Sequence, residues 1–481
     1  MKPITRRDFV KASFAAGVAL TTPFSKARGA NDDIRVAAVG FRGKGAQHIE
    51  VFRAIPGVRI VALCDADSNI LNRELDKARA LGEKITTYTD LRKLLEDKNI
   101  DAIVTATPNH WHALLTIWAC QAGKDVYVEK PASHTIWEGR KMLQAARKYN
   151  RIVQTGTQNR SDVGLREAAD YIKNGNLGKI RWAHGLWFKH RPSIGKVKGP
   201  QRVPDQIDYN LWTGPAPLHP LRRRNLHYDW HWFWETGDGD MGNLGAHQID
   251  DCRWIIGRSS MPTRVISLGG RFGYDDDAQT PNTQLAIFDY KPAPIILEVR
   301  GLPRQKGMRA SDYYRGTSSG NVIQCENGYF VGGRGGGWAF DNEGKKIRQF
   351  KGDGGGGHQA NFINAVRTRK PADLHADIAE GHVSAALCHM ANISYRLGYQ
   401  TAPDKIRQAI QDYQEALDTF DRIEKHLTAN EVDLAKTPAV LGQWLSSDPE
   451  KETFTGDWPA NWANTMLRCN YREPFVVPDR V

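Results

Sequence analysis

Short apolar runs alternate with stretches of helical periodicity between residues 34 and 154, and this alternation constrains the fold more than any other feature. Each run has the length of a buried strand, and the residues between runs place apolar side chains at helical spacing. Strands separated by helices in this way form a parallel sheet, because antiparallel neighbours need only short turns between them. The predicted strands are Ile34–Val39, Val58–Cys64, Ala102–Ala106, Asp125–Val128 and Arg151–Gln154.

Beyond this sheet the sequence contains longer strands, more aromatic residues and more glycine. A larger, mostly antiparallel sheet is predicted from the strands Arg181–Phe188, Arg264–Leu268, Gln284–Tyr290, Ile295–Arg300 and Gly320–Cys325. Phe362–Gly398 and Lys405–His426 are predicted helices, and the tail from Asn430 is expected to be irregular. The glycine runs Gly332–Gly337 and Gly352–Gly357 are expected to form turns or mobile loops, since neither is predicted between a strand and a helix start.

The composition indicates a globular protein of two or three domains. The chain has 481 residues, of which 40% are hydrophobic and 25% charged. The first 29 residues contribute +5 of the net charge of +12, and the remaining charge forms no basic stripe, so nucleic-acid binding is not supported. The six cysteines are scattered singly, without the spacing of a zinc site, so we expect buried free thiols and no metal.

The N-terminus resembles an export signal. Thr5–Lys11 contains the pair Arg6-Arg7 of a twin-arginine motif, and the apolar run Ala12–Leu20 follows it. That run is too short to remain as a membrane anchor, so residues 1–29 are interpreted as a signal peptide. We therefore expect the twin-arginine translocase as a transient partner, and a periplasmic or otherwise exported location.

A candidate nucleotide site follows the first strand. Gly40, Arg42, Gly43 and Gly45 lie where a dinucleotide fingerprint has its glycines, between a strand and a helix whose N–H groups favour a pyrophosphate. Asp65 ends the second strand, and its carboxylate can accept a hydrogen bond from a ribose 2′-OH and would repel a 2′-phosphate. NAD is therefore favoured over NADP, although the Arg42 guanidinium could hold a 2′-phosphate.

With these residues the chain resembles the Gfo/Idh/MocA family, which includes glucose–fructose oxidoreductases and inositol dehydrogenases. The matching segments are Gly40–Gly45, Asp65, Thr107–His112, Glu129–Pro131, Gln154–Gln158 and Gly245–Asp250. The resemblance implies an α/β protein with an N-terminal Rossmann domain and a C-terminal α+β domain, whose large open sheet often mediates oligomers. We accordingly divide the chain into residues 1–29, 30–156, 157–400 and a C-terminal extension, 401–481.

The resemblance also implies the roles of individual residues. Lys130 and His247 would flank the sugar carbon that exchanges hydride, and Asn109 and His112 would lie near the nicotinamide ribose. Further cofactor contacts are implied for Thr107, Pro108, Glu129, Gln158 and Trp212, and a substrate contact for Arg160.

The chemistry of alcohol oxidation asks for similar groups. A base must take the hydroxyl proton as hydride leaves, and His247 is expected to titrate near neutrality. Lys130, partly desolvated, should have a lowered pKa and can polarise the same oxygen. Many relatives have an aspartate four residues before the histidine, where this chain has Asn243; Asp250, one helical turn later, is a candidate replacement.

An aromatic segment precedes this motif. Tyr228, Trp230, His231 and Trp232 combine flat rings with polar groups, as carbohydrate sites do, so they are candidate substrate contacts; a purely structural aromatic cluster is the alternative. We expect an exported sugar or glycoside oxidoreductase with tightly bound, internally recycled NAD, which assembles as a homo-oligomer. The alternatives are an NAD-dependent glycoside hydrolase that works by transient oxidation and elimination, and a catalytically silent sugar-binding protein.

Overall fold

The computed structural model describes residues 33–481, so the twin-arginine segment lies outside the described residues. Its strands are β1 Ile34–Val39, β2 Val58–Cys64, β3 Thr86–Tyr88, β4 Ala102–Thr105, β5 Asp125–Val128, β6 Val153–Thr155, β7 Ile180–Phe188, β8 Arg264–Gly270, β9 Thr283–Phe288, β10 Ile295–Arg300, β11 Ser319–Cys325, β12 Gly328–Gly333, β13 Gly336–Phe340, β14 Lys346–Lys351, β15 Tyr399–Thr401, β16 Ala439–Leu441, β17 Leu445–Asp448 and β18 Thr453–Thr455. Its α-helices are α1 Lys44–Arg53, α2 Ser68–Ala80, α3 Leu91–Glu96, α4 Asn109–Gln121, α5 Ile136–Lys148, α6 Val163–Lys173, α7 Tyr209–Thr213, α8 Gly239–Asn243, α9 Gly245–Ile255, α10 His358–Thr368, α11 Ile378–Arg396, α12 Pro403–Ala409, α13 Gln414–Ala429 and α14 Trp458–Thr465.

The first sheet is the predicted parallel sheet. Its strand order is β3-β2-β1-β4-β5-β6, and every pair is parallel. The strand order reverses between β1 and β4, so the loops that follow these strands diverge and leave a crevice at their carboxyl ends. The predicted Rossmann domain is confirmed, and its crevice lies where the glycine turn places it.

Local sequence signals fix the helix that follows β5. Thr135 caps α5, because its hydroxyl accepts a hydrogen bond from the Glu138 N–H at 3.2 Å. The Glu138 carboxylate reaches back to the backbone N–H of His134 at 2.9 Å, one residue before the cap position. The helix start thus holds the chain that leads away from Lys130.

The second sheet contains twelve strands, and its main path runs β14-β13-β12-β11-β7-β10-β9-β8-β16-β15. Only β7 and β10 pair in parallel, so the predicted, mostly antiparallel sheet is confirmed. Helices α9 and α11 pack on its inner face in the largest hydrophobic cluster. At Gly185 a β-carbon would lie 2.8 Å from the side chain of Gln248, so glycine allows α9 to approach β7 closely.

The extension after residue 400 is more regular than expected. Strands β16 and β17 pair with β8, and β18 pairs with β17, so the tail continues the large sheet. These strands are too short to show a two-residue period, which is why the sequence indicated an irregular tail. Helix α13 packs Phe420, Ile423 and Leu427 against sheet residues such as Ile287 and Leu268 on the outer face.

Three further predictions are wrong in detail. The helical segment from Phe362 is interrupted at Arg369, which has a left-handed φ of 59°, and by the turn that begins at Pro371. The predicted helix Lys405–His426 consists of α12 and α13, because the chain turns near Ile410 so that both helices bury apolar residues. The run Gly352–Gly357 does connect a strand, β14, to a helix, α10.

Candidate active site

A cavity of about 360 Å³ occupies the crevice of the Rossmann sheet. Loops after β1, β2 and β4 form its floor, and the segment before α8 covers it. The predicted site residues that line it are Gly40, Arg42, Gly43, Asp65, Thr107, Pro108, Trp212, Tyr228, Trp230 and His231. A volume of this size suits an extended small molecule, and the lining combines backbone N–H groups with aromatic rings.

The glycine turn after β1 depends on the absence of side chains. Gly40 has a φ of +70°, and a β-carbon there would lie 2.6 Å from Cγ2 of Thr107. A β-carbon on Gly45 would lie 2.3 Å from the Gly40 carbonyl oxygen. The turn therefore lets the N-terminus of α1 face the cavity, the arrangement that binds a pyrophosphate. These residues fit a dinucleotide.

Asp65 is positioned at the end of β2 by two backbone groups. The N–H of Phe41 donates to one carboxylate oxygen at 3.1 Å, and the N–H of Asp67 donates to the other at 3.0 Å. Burial raises the pKa of Asp65 to about 6, although both hydrogen bonds oppose that shift. The carboxylate lines the cavity, as a ribose-binding residue requires.

Two motif residues after β4 face other parts of the protein. The Asn109 amide donates to the Asp238 carboxylate at 2.8 Å. The ring nitrogens of His112 lie 2.7 Å from the Pro131 carbonyl oxygen and 2.9 Å from that of Thr107. Both residues are buried, so they brace the loops around the crevice, and neither is among the residues that line the cavity.

Glu129 anchors the loop that carries Lys130. One carboxylate oxygen accepts hydrogen bonds from the His48 imidazole and the Gln158 amide, both at 2.8 Å. The other oxygen accepts from the Lys130 backbone N–H at 3.2 Å. Burial opposes the charge on Glu129, but the hydrogen bond from His48 and the charges of His48, Lys44 and Lys130 hold its pKa well below the usual range. Gln158 thus supports Glu129 and lies outside the residues that line the cavity.

Lys130 reaches across to the second domain. Its ammonium donates to the Asn243 backbone carbonyl at 2.7 Å and to the Asn243 side-chain oxygen at 3.3 Å. Burial lowers the pKa of Lys130, while the Glu129 carboxylate opposes this shift. Burial chiefly lowers the pKa of His231, a cavity residue, to about 3, and the charge of Lys130 adds to this shift.

His247 lies on α9, four residues beyond Asn243, with its ring 6.1 Å from that of Trp187. Its Nδ1 is buried and has no hydrogen-bond partner among the described residues. Burial, followed by the charge of Lys130, lowers the pKa of His247 to about 3. The expectation that His247 titrates near neutrality is wrong for this conformation, because burial and the charges of Lys130 and Arg334 outweigh the opposing charges of Glu129 and Asp250.

Asp250 does not take the place of the missing aspartate. Its carboxylate accepts hydrogen bonds from Arg160 at 2.8 and 2.9 Å and from Ser384 at 2.6 Å. Arg160 also pairs with Glu380 and is 6% exposed, so its guanidinium is used within the domain. The predicted roles of Asp250 as a partner of His247 and of Arg160 as a substrate contact are therefore not supported by this geometry.

The aromatic segment divides between the cavity and the protein interior. Tyr228, Trp230 and His231 line the cavity, with the His231 ring stacked 3.7 Å from that of Trp230. Trp232 is 4% exposed and packs 5.5 Å from the Arg191 guanidinium. Three of the four residues of this segment that were predicted to contact substrate thus line the nucleotide crevice, and Trp232 has a structural position.

The sequence reasoning missed a charged pair next to this centre. Arg191 donates to the Asp240 carboxylate at 3.3 Å and to the Tyr228 hydroxyl, and Asp240 is buried on α8, the helix of Asn243. The sequence does indicate the position of Arg191, because Trp187, Lys189 and Arg191 alternate along β7 and its continuation. Alternate residues share one face of a strand, and Trp187 contacts His247 on that face.

Comparisons with known proteins place the chain in a family context. Residues 34–157 match the Gfo/Idh/MocA model "Oxidoreductase family, NAD-binding Rossmann fold", and residues 179–298 match "Oxidoreductase family, C-terminal alpha/beta domain". The solved WlbA dehydrogenase from Bordetella pertussis, in complex with NADH and UDP-GlcNAcA, is similar in fold. The TM-score is 0.55 at 21% identity, covering 76% of this chain and 97% of that chain.

Two curated relatives are similar in sequence. Inositol 2-dehydrogenase from Salmonella paratyphi B is 27% identical over 180 residues, which cover 37% of this chain and 52% of the relative. The chain thus spans about half the length of that relative. A glycosyl hydrolase family 109 protein from Saccharopolyspora erythraea is 29% identical over 375 residues, covering 68% of each chain.

Proposed function

Because this chain belongs to the Gfo/Idh/MocA family of oxidoreductases, we propose that it is an exported enzyme that oxidises a ring hydroxyl of a sugar or glycoside. The observation that supports this most directly is the meeting of Lys130, from the Rossmann domain, with Asn243 on the helix next to that of His247. An ammonium and an imidazole from two domains then face one substrate position beside the crevice.

The crevice fits a nicotinamide dinucleotide. The α1 N-terminus and glycine turn would hold the pyrophosphate, and Asp65 would accept hydrogen bonds from the adenosine ribose. We propose NAD over NADP because the Asp65 carboxylate would repel a 2′-phosphate. When bound, NAD would supply the hydride acceptor of the reaction.

The protein's own residues then manage the proton. A lowered pKa makes the neutral amine of Lys130 more accessible, and a neutral amine can accept the hydroxyl proton of a bound alcohol. His247 stays neutral, since its pKa is lowered to about 3, and its imidazole can hold the same oxygen by a hydrogen bond. Asn243 positions the amine without adding negative charge.

We further propose that the cofactor stays bound and is recycled, because an exported enzyme has no nicotinamide pool to exchange with. A second candidate, NAD-dependent glycoside hydrolysis, is favoured by the glycosyl hydrolase family 109 relative, which aligns with 68% of this chain. A silent sugar-binding protein is the third possibility; the pairing of Lys130 with Asn243 in a formed crevice argues against it.

Purified full-length protein distinguishes these functions. Mass spectrometry identifies the nucleotide that co-purifies, and near-ultraviolet absorbance follows its reduction when glycosides are added. Reduction of the cofactor, or formation of an oxidised sugar with an added acceptor, supports the oxidoreductase, and net release of aglycone supports the hydrolase. A protein that neither retains nor binds a pyridine dinucleotide would contradict both.

A further inference from the structure

Two cationic side chains share the face of β7 that carries the reaction centre. Lys189 and Arg191 follow Trp187 at two-residue spacing. Their backbone N–H groups donate to the carbonyl oxygens of Arg300 and Gly301, at the end of the neighbouring strand β10, at 2.9 and 2.8 Å. Trp187 packs against His247, whereas Leu186 and Phe188 belong to a cluster on the opposite face. Lys189 and Arg191 therefore project toward the side of the sheet that holds His247.

Neither cation is fully satisfied by the protein. Lys189 is exposed, and its ammonium forms no ion pair or hydrogen bond with the protein within residues 33–481. Arg191 uses its two terminal nitrogens for Tyr228 and Asp240, but its buried Nε has no hydrogen-bond partner in the same part of the chain. Such a buried donor is costly unless a ligand accepts from it.

A third cation approaches from the tip of the β12–β13 hairpin. Arg334 donates to the Gly354 carbonyl at 2.9 Å, and Asp162 binds the N–H groups of Gly335 and Gly354 at 2.9 and 2.6 Å. These hydrogen bonds hold the two glycine runs together and fix the position of the loop that carries Arg334. Arg334 is exposed at this tip, and its charge adds to the lowering of the His247 pKa, which burial and the charge of Lys130 chiefly cause.

The acids of the centre do not balance these charges. Glu129 and Asp240 supply two negative charges, against the four cations Lys130, Lys189, Arg191 and Arg334. Asn243 offers only neutral oxygens to the Lys130 ammonium, at the position where many relatives have an aspartate. An excess of positive charge remains around the substrate position, apart from the nucleotide-binding turn.

Building on the proposed function, we propose that the sugar substrate carries an anionic substituent, a carboxylate or a phosphate, which Lys189, Arg191 and Arg334 bind beside Lys130. The anion would complete the hydrogen bonds of the unsatisfied donors and neutralise the excess charge. Hydrogen bonds between ionised partners are about twice as strong as neutral ones, so this group would dominate recognition of the substrate.

Matched ligands test this inference on the protein with its cofactor. Methyl glycosides, the corresponding methyl uronosides and the 6-phosphates are compared in gluco, galacto and manno configurations. Calorimetry gives each Kd, and cofactor absorbance gives kcat/KM. We expect the anionic member of at least one set to bind about tenfold or more tightly than its neutral partner. The uronoside and phosphate arms identify which anion is used.

Variants then assign the effect to residues. K189Q and R334Q should each reduce the preference for the anionic ligand by about tenfold, whereas K425Q, on the exposed face of α13, should leave the preference unchanged. Near-ultraviolet circular dichroism checks that each variant is folded. Equal binding of charged and neutral ligands, or an undiminished preference in both variants, would overturn the inference while cofactor reduction by neutral sugars still supported the proposed function. If no sugar binds or reduces the cofactor, the proposed function itself fails.

Discussion

The environment of Lys130 differs from that of an ordinary surface lysine. Its half-buried ammonium contacts two oxygens of Asn243, and no carboxylate of residues 33–481 accepts from it directly. We expect K130M to lower kcat/KM by about 10²- to 10⁴-fold, the range of a lost general acid–base group, while the cofactor remains bound. Turnover assays and the absorbance of the bound nucleotide measure the two effects separately.

A lysine on the exposed face of α13 supplies the control for this substitution. K425M removes an equal charge and should alter neither turnover nor cofactor content. If K130M retained wild-type turnover, Lys130 would have no part in the reaction.

The pH dependence of the reaction follows from the same two side chains. Burial lowers the pKa of Lys130 below 10.5, so oxidation should accelerate as pH rises through that lowered pKa and the amine becomes neutral. The pKa of His247 is lowered to about 3, so it should add no break near pH 6.5. A pH profile of kcat/KM with an inflection near 6.5 that disappears in H247N would contradict this assignment.

Single residues show where sequence reasoning reached its limit. Asp65 and Gly40 line the crevice, because a turn glycine and a strand-end carboxylate have few alternative positions, and their contacts with a cofactor stay predictions. Asn109 and His112 were assigned to the cofactor but brace buried loops, since a motif does not reveal which way each helical side chain points. The partner of Arg160 could not be foreseen, because Asp250 and Glu380 come from distant helices.

Helix α13 covers part of the outer face of the large sheet. Phe420 is fully buried there with residues of β8, β9 and β10. We expect F420A to lower the free energy of unfolding by about 3–5 kcal/mol, because it removes a large side chain and leaves a cavity. Chemical denaturation measures the change.

The exposed side of the same helix provides the comparison. K425A should change the free energy of unfolding by less than about 0.5 kcal/mol, as is usual for surface sites. Equal, small effects of both substitutions would mean that α13 does not pack on the sheet.

Elements were predictable to the extent that their signals were local. Five of the six strands of the parallel sheet were predicted, because most of them are continuous apolar runs, whereas β3 is short and largely exposed and was missed. Strands β16 to β18 contain three or four residues each, and only their pairing with β8 and with each other defines them. The cover provided by α13 depends on contacts between residues more than 100 positions apart, which periodicity does not report.

For the whole molecule, the proposed export predicts where the protein accumulates. The variant R6K/R7K should remain in the cytoplasm, because the twin-arginine pathway reads that pair, and R28K should be exported normally. Cell fractionation with an antibody measures the distribution. Normal export of R6K/R7K would contradict the proposed localisation.

The six cysteines lie within the described residues and none forms a disulfide, as a protein that folds before export would require. Among residues 33–481, no helix is both long and apolar enough to cross a bilayer.

The two domains are joined by an ion pair that makes stability depend on pH. His134 precedes α5 in the Rossmann domain, and its Nδ1 lies 3.1 Å from the carboxylate of Asp238, near α8. Burial opposes the charge on His134, but Asp238, Glu138 and the Trp234 carbonyl outweigh burial and raise its pKa to about 9. In the unfolded chain, His134 has the ordinary histidine pKa of about 6.5.

Because the pKa of His134 is raised in the folded state, the stabilisation from its ion pair with Asp238 is complete below pH 6.5 and is lost as pH rises to about 9. The shift corresponds to roughly 3 kcal/mol, so the free energy of unfolding should fall by that order over this interval. Denaturant titrations of the protein at several pH values measure the slope, and D238N should flatten it because the amide cannot stabilise an imidazolium. H134Q should flatten it as well, whatever its effect on overall stability. A slope that persists in both variants would show that other groups link the domains to pH.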